Sequence, residues 1–275
     1  MKPGLRRKKL AILGAGKMGG ILLDAFLRRG LLAPGDVQAT VRHAERTREV
    51  TRQFKVHAGT DNRVAVKNAN IVLICVKPQG VEEVLEEIGP EMTKDKIVIS
   101  IAASVPTSYI EQRLTAEVPV IRAMPNTPAS VGCGMTALVQ GKFATSQHVA
   151  VAHTLFDAVG RTVAVEEKQM DAVTGLSASG PAFLYIILES MAEAGVKVGL
   201  SRDLATLLAS QTMLGAASVA LQSGHHPALL KDMVTTPAGC TIDGILELEE
   251  GKVRVTLIKA IVKATERARE LLISK

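Results

Sequence analysis

Apolar residues are spaced along this chain in two successive rhythms. Up to residue 165, short apolar runs alternate with amphipathic stretches; from Gln169 onward the spacing is helical apart from interruptions that contain Gly or Pro. Runs at Leu10–Leu13, 37–41, 56–58, 71–76, 97–103, 118–122, Gly134–Gln140 and 162–165 predict strands. The run 71–76 has the unbroken apolarity of a parallel strand covered on both faces. Helical spacing is predicted after Gly19 through Ile21, Leu22, Ala25, Phe26 and Leu27, and over 62–69. It recurs after Pro78 through Val81, Val84, Leu85 and Ile88, after Pro106 through Ile110 and Leu114, and over 148–159. Beyond that point helices are predicted over 182–198, 202–222 and 253–273. The pattern sets an α/β domain over 1–166 before an all-helical domain over 167–275, divided at Glu166-Glu167.

The first run breaks into Gly14-Ala15-Gly16-Lys17-Met18-Gly19, three glycines spaced G-x-G-x-x-G between strand and helix. In a dinucleotide-binding unit the first glycine permits the turn, the second lets a pyrophosphate approach the backbone, and the third lets the helix pack on the strand. Phosphates then meet free amides at the positive end of a helix dipole. Glycines also mark ordinary turns, but a second strand after Gly30 supplies the βαβ context that the nucleotide reading needs. A carboxylate after that strand would suit an unphosphorylated ribose; here Arg42-His43 follows, and an Arg suits a 2′-phosphate. NADPH is therefore favoured, with NADH possible, and an ordinary surface Arg is the alternative. Val76 and Lys77, at another strand end, are placed against the cofactor, although a Pro-initiated turn explains Pro78 equally well. Met124-Pro125-Asn126-Thr127-Pro128 is read as a rigid loop that continues neither helix nor sheet, and that either crosses the sheet edge or borders the nicotinamide.

With 275 residues and 47% apolar content the chain can bury a large core. Its formal charge of +6 is concentrated at one end: Lys2, Arg6, Arg7, Lys8 and Lys9 are five of 33 basic residues, leaving 28 against 27 acidic ones. A near-neutral body with 3% aromatic residues weighs against nucleic-acid binding. The basic end reads as a solvated tail and not as a secretory signal. Cys75, Cys133 and Cys240 are odd in number and lack metal-ligand spacing with any His, which points to reduced thiols in a cytoplasmic setting, with no disulfide framework and no metal site. Residues 204–230 carry no Asp, Glu, Lys or Arg, enough length to suggest a membrane span. Polar interruptions at Ser210, Gln211, Thr212 and Ser218, and a small-residue stripe at Ala205, Ala209, Thr212, Ala216 and Ala220, favour a helix buried by other helices instead. Packing between subunits would supply that cover, so at least a dimer is expected.

A second constellation runs from Lys231 to Gly244, where Thr235, Thr236 and Thr241 accompany Pro237, Gly239 and Gly244 between helices. Thr241 is positioned to cap the following helix, leaving amides of the entering loop for a substrate carboxylate; capping alone is the competing explanation.

At these residues the chain resembles the pyrroline-5-carboxylate reductase family over nearly its whole length. The resemblance is carried by the 14–19 glycine segment, Val76-Lys77-Pro78, Met124 to Pro128, Asp171-Ala172-Val173-Thr174-Gly175-Leu176-Ser177-Ala178-Ser179-Gly180-Pro181-Ala182, and Lys231 to Gly244. It implies a Rossmann-type doubly wound sheet followed by an all-helical dimerisation domain, in homodimers or larger homo-oligomers. It also implies reduction of 1-pyrroline-5-carboxylate, a small-molecule substrate, to L-proline with NADPH or NADH. Carried over by position, cofactor contacts fall on Gly14, Gly16, Lys17, Met18, the residues after Val41, Asn62, Val76, Lys77 and Ala103. Substrate contacts fall on Glu167 and on Thr236, Gly239, Cys240 and Thr241, with Thr241 near the ring nitrogen as the catalytic hydroxyl. Met233 stands where relatives often have Asn, and Arg42-His43 replaces a small polar pair seen in some relatives.

The implied chemistry needs alignment more than acid catalysis, because a protonated imine is already electrophilic and the cofactor supplies the hydride. A β-hydroxyacid dehydrogenase would need a Lys on the long helix after the junction, where 182–194 contains none. A nucleotide-binding regulator without turnover is disfavoured by the intact Gly239-Cys240-Thr241 loop.

Overall fold

The computed structural model describes Leu5 and residues 8–271, so Lys2, Arg6 and Arg7 of the basic tail lie outside the described residues. Eight strands form one sheet: β1 (Leu10–Leu13), β2 (Val37–Thr40), β3 (His57–Gly59), β4 (Ile71–Ile74), β5 (Ile97–Ser100), β6 (Val120–Met124), β7 (Gly134–Gln140) and β8 (Gly160–Ala164). Their order is β3-β2-β1-β4-β5-β6-β7-β8, and every pairing is parallel except β6 with β7. The order reverses between β1 and β4. Ligands of open α/β sheets bind at such a switch point, beyond the carboxyl ends of the strands.

Alternation along β1 explains how both faces are covered. Leu10 and Ile12 join an apolar layer under α1 (Lys17–Arg28), α2 (Glu45–Phe54) and α6 (Ser146–Phe156), where Phe26 meets Phe156 edge to face at 6.5 Å. Ala11 and Leu13 join the opposite layer, under α3 (Asn62–Lys67), α4 (Val81–Ile88) and α5 (Thr107–Arg113). Buried Lys96 closes the end of α3: its Nζ donates to the carbonyls of Val66, Lys67 and Ala69 at 2.8, 3.0 and 2.8 Å. Burial holds this ammonium below the usual lysine range, and the nearby Glu91 carboxylate opposes that shift.

The strands stop earlier than the apolar runs that announced them. The run 71–76 leaves the sheet after Ile74, and 97–103 after Ser100, because the chain turns away at the crevice. The strand expected over 118–122 instead spans Val120–Met124, with Met124 still paired to Ala137, and Thr127–Val131 forms a 3-10 turn. The expectation that Met124 to Pro128 continues neither helix nor sheet therefore holds only around Pro125 and Asn126.

Helices follow: α7 (Met170–Val173), running into a π-helical turn at Thr174–Ala178, α8 (Gly180–Lys197), α9 (Arg202–Ser223), α10 (Pro227–Val234), α11 (Cys240–Glu250) and α12 (Val253–Glu270). By packing, the chain divides into a unit running through Ala178 plus the stretch from Ala264, and a helical unit Ser179–Lys263. Residues 167–178 belong with the sheet because Met170 is buried with Met124, Ala137 and Val139, and Val173 and Ala178 pack against that cluster. The units thus part at Ser179, downstream of Glu166-Glu167.

The helical unit has little interior of its own. Among its described residues only Ala192, Ala205 and Ala209 are buried. There α8 and α9 cross closely, since a Cβ on Gly195 would lie 2.7 Å from that of Ala205. The helix expected to be enclosed on several sides is not enclosed within one chain: Leu207, Leu214 and Leu221 of α9 are all exposed. By length and composition, Glu167–Lys197 and Arg202–Ser223 could each cross a membrane.

Candidate active site

The glycine segment forms the turn from β1 into α1. Gly14 has φ +93°, a conformation open to glycine, and a Cβ on it would lie 2.9 Å from Val76 Cγ1. A Cβ on Gly19 would lie 2.5 Å from the Gly14 carbonyl oxygen, so only glycine lets α1 start this close to the strand. Around Gly16, by contrast, nothing lies within 4 Å of where a Cβ would be. Gly16 is also the N-cap of α1, with no side-chain cap and no acidic residue in the first turn. The amides beginning at exposed Lys17 and half-buried Met18 thus form an open, positively polarised anion seat, which fits a dinucleotide pyrophosphate.

The turn is held from the side by β2. Gly14 and Ala15 donate their amides to the Thr40 carbonyl at 3.2 and 2.7 Å, and the Thr40 hydroxyl donates to Asn62 Oδ1 at 2.7 Å. This places Asn62, the first residue of α3, beside the cradle. Arg42 and His43 are exposed between β2 and α2, whose N-cap Ala44 makes no side-chain cap. Val76 packs against Gly14, while Lys77 is exposed immediately before the 3-10 turn Pro78–Gly80, the element that Pro78 opens ahead of α4. Cys75, beside Gly19, has its thiol pushed up by burial and is therefore neutral and poorly nucleophilic. Ala103 is half-buried beyond β5, next to Ser104, which has φ +59° and donates to the Ala268 carbonyl at 2.9 Å.

An ion pair between a buried arginine and a partly exposed glutamate is not announced by the sequence. Arg122 on β6 is 2% exposed and donates from Nη1 to Glu167 Oε1 at 2.5 Å. The other Glu167 oxygen accepts from the Thr107 amide and hydroxyl at 3.0 and 2.9 Å. Both oxygens of the carboxylate expected to face substrate thus accept from protein donors that tie β6 and the start of α5 to the turn before α7, while 34% of the side chain stays exposed. Nearby, Asn126 anchors the Pro-containing loop: its Oδ1 accepts from the Met135 amide at 2.9 Å, and its Nδ2 donates to the Ser177 carbonyl in the π-helical turn at 3.2 Å.

In the helical unit, the stretch read as lying between helices is shorter than expected. Lys231 to Val234 end α10, and the loop proper runs from Thr235 to Gly239. It turns at Thr236-Pro237-Ala238-Gly239, where the Gly239 amide donates to the Thr236 carbonyl at 3.1 Å and Ala238 has φ +55°. A Cβ on Gly239 would lie 2.4 Å from Thr236 Oγ1. The expected cap on α11 is corrected: Gly239, not Thr241, is its N-cap, because this tight turn starts the helix at Cys240 and places Thr241 inside the first turn. No side chain caps α11, and Asp243 shares its first turn.

Two family models match separate stretches of the chain. A family model described as pyrroline-5-carboxylate reductase dimerisation matches residues 167–271, and one described as NADP oxidoreductase, coenzyme F420-dependent, matches residues 9–104. Over 97% of its length the chain is 42% identical to the pyrroline-5-carboxylate reductase of Methanosarcina acetivorans, of which it covers 99%. The chain belongs to the pyrroline-5-carboxylate reductase family. The Arabidopsis thaliana reductase is 41% identical, with 96% of this chain and 95% of the plant protein covered. Among solved structures, the pyrroline-5-carboxylate reductase of Coxiella burnetii superposes with a TM-score of 0.89 at 34% identity, covering 97% of this chain and 99% of that one. The Plasmodium falciparum pyrroline carboxylate reductase, solved with NADP bound, gives 0.88 at 27% identity over 98% and 100%.

Two glycines of this reductase family member should fail differently. Gly16→Ala is expected to keep the fold within about 1 kcal/mol, as an N-cap change in open space. It should weaken dinucleotide binding roughly tenfold, the scale of one lost hydrogen bond. Gly19→Ala is expected to destabilise the protein itself by about 1–3 kcal/mol through overpacking; urea melts and nucleotide titrations of both variants check the contrast. Glu167→Gln should lower stability by about 2 kcal/mol by leaving buried Arg122 poorly matched. If Glu167 is a brace, its substrate KM stays at the wild-type value, and a raised KM without a stability loss would show a substrate contact instead.

Proposed function

We propose that this protein is an NAD(P)H-dependent reductase that converts 1-pyrroline-5-carboxylate to L-proline, the last step of proline biosynthesis. The observation that carries the reading is the open, uncapped helix start at Gly16, at the switch point of the sheet, in a chain of this family. It is a seat for the diphosphate of a hydride donor.

When bound, the reduced nicotinamide supplies the hydride. The chain's own residues bind and orient. Gly14, Gly16, Lys17 and Met18 hold the pyrophosphate; Asn62, Val76, Lys77 and Ala103 line the rest of the cofactor; and Arg42 pairs with a 2′-phosphate, which makes NADPH the preferred donor. Thr236, Gly239, Cys240 and Thr241 receive the substrate, its carboxylate on the uncapped amides of α11 and its ring nitrogen at the Thr241 hydroxyl. Because the protonated imine is already electrophilic, holding donor and acceptor in register accounts for most of the rate, and Thr241 orients without acting as a nucleophile.

The same reading makes the protein a soluble, cytoplasmic homodimer or larger homo-oligomer assembled through its helical unit, with neither membrane nor nucleic acid as partner. Exposed Leu207, Leu214 and Leu221 on α9, and Ile186 on α8, are apolar surface of the kind that a second copy covers.

Purified protein should oxidise NADPH, followed by its absorbance, only when pyrroline carboxylate is present; no turnover with either reduced nucleotide would overturn the proposal. In the same assay Thr241→Ala should lower kcat on the order of a hundredfold, the scale of a lost hydrogen bond made to the reacting centre, with little change in the NADPH dissociation constant. Equal losses in both would remove Thr241 from the chemistry. Arg42→Ala should raise the KM for NADPH roughly tenfold, as expected for one charge-assisted phosphate contact, and leave the KM for NADH unchanged.

A further inference from the structure

We propose that Glu87 on α4 is a positioning residue for dinucleotide binding, acting through Asn62 and Thr40 on the glycine turn. The inference rests on the reductase reading for the identity of the ligand, but its geometry lies wholly within the sheet unit. Glu87 Oε1 accepts from the Asn62 amide at 2.9 Å, and Oε2 accepts from Asn62 Nδ2 at 2.6 Å. Asn62 Oδ1 accepts from the Thr40 hydroxyl at 2.7 Å, and Thr40 Oγ1 accepts from the Gly14 amide at 3.2 Å.

Every link in this chain has one polarity, and a single charged group sets it. An ionised carboxylate can only accept, so the Asn62 amide must turn its nitrogen toward Glu87 and its oxygen toward Thr40. That oxygen can only accept in turn, so the Thr40 hydroxyl donates to it and offers a lone pair to the Gly14 N–H. Thr40 is buried at 3% exposure, which leaves it no water with which to choose otherwise. The Gly14 amide, shared between this hydroxyl and the Thr40 carbonyl, is thereby held from the side of the relay, next to the Ala15 amide on the same carbonyl, and the turn keeps the shape that presents the start of α1. One hydrogen on Asn62 Nδ2 has no partner among the described residues, and the same relay aims it.

Glutamine in place of Glu87 keeps the size and inverts part of the pattern. Its amide can accept from only one of the two Asn62 donors and presents its own NH2 to the other, which favours a flipped Asn62 and leaves the Thr40 hydroxyl hydrogen without an acceptor. Glu86, exposed on the same helix, is the control for charge.

The test is direct titration of the full-length protein with NADPH, read by nucleotide fluorescence, with thermal melts to verify folding. Glu87→Gln is expected to raise the NADPH dissociation constant about tenfold, with kcat at saturating NADPH within roughly twofold of wild type, and Glu86→Gln to leave both unchanged. Thr40→Val should weaken NADPH similarly, and adding Glu87→Gln to it should cause no further loss, since both cut one relay. If Thr40→Val does not fold, Asn62→Ala takes its place in the cycle; it removes a cofactor contact as well and should weaken NADPH more, but adding Glu87→Gln to it should again cause no further loss. Unchanged NADPH binding in Glu87→Gln, or losses that multiply in the double variant, would overturn the proposal and leave the reductase reading intact. Failure of the wild type to bind NADPH or NADH would overturn both.

Discussion

The approach of Gly19 to the carbonyl oxygen of Gly14 is the contact on which the rest of the sheet unit depends. No side chain fits between them, so α1 begins directly at the end of β1, and the amides of its first turn open at the point where the strand order reverses. The turn is stabilised laterally by Thr40, and through Thr40 by residues of α3 and α4. Covering layers on both faces of the sheet hold those helices in place. The cradle is thus the exposed end of a packed and hydrogen-bonded core, which makes it preorganised for a ligand.

The helical unit answers to the opposite condition. It buries three alanines and leaves large apolar side chains of α8 and α9 in the open, so its own packing cannot supply much hydrophobic stabilisation. Small residues where α8 and α9 meet allow their backbones to approach, and the larger residues point elsewhere. Apolarity alone would equally suit a bilayer, but Ser210, Thr212 and Ser218 interrupt α9, and the family model over 167–271 is one of dimerisation. A second copy of the chain is the cover consistent with both facts.

Local signals in the sequence were strong wherever one residue type answers to one backbone demand. Gly14 and Gly19, the apolar run of β4 and the start of α9 at Arg202 were all legible, because positive φ at Gly14, close backbone approach at Gly19, double-sided burial and an N-cap at Ser201 each leave a local mark. Strand ends were not, since the residues after Ile74 and Ser100 remain apolar while the chain turns into the crevice. The start of α11 was misplaced by one turn element: Ala238 adopts a left-handed conformation usually left to glycine, so nothing in its side chain signals the turn. Arg122 with Glu167, Lys96 with the end of α3, and Glu87 with Asn62 were illegible for a common reason. Each pairs a polar group with a partner distant in the chain, and spacing carries no information about such a match.

The helices differ in how their first-turn amides are satisfied, and α5 and α8 start with neither a side-chain cap nor a first-turn acid. Asp61, Thr145, Ser201 and His226 accept first-turn amides of α3, α6, α9 and α10, satisfying donors that no intrahelical carbonyl can reach. At α4 the N-cap is Gly80, but Glu82 and Glu83 stand in the first turn and complement the dipole. At α1 and α11 the N-caps are Gly16 and Gly239, which have no side chain to offer, and α1 has no acidic residue in its first turn. A glycine cap forgoes only a few tenths of a kcal/mol per helix relative to a Ser or Asp cap, and holding Ala238 at positive φ costs roughly 1 kcal/mol more. A chain gains nothing from that arrangement when empty. In the proposed reaction a phosphate would meet the start of α1 and a carboxylate the start of α11, the two charged groups that must be held still.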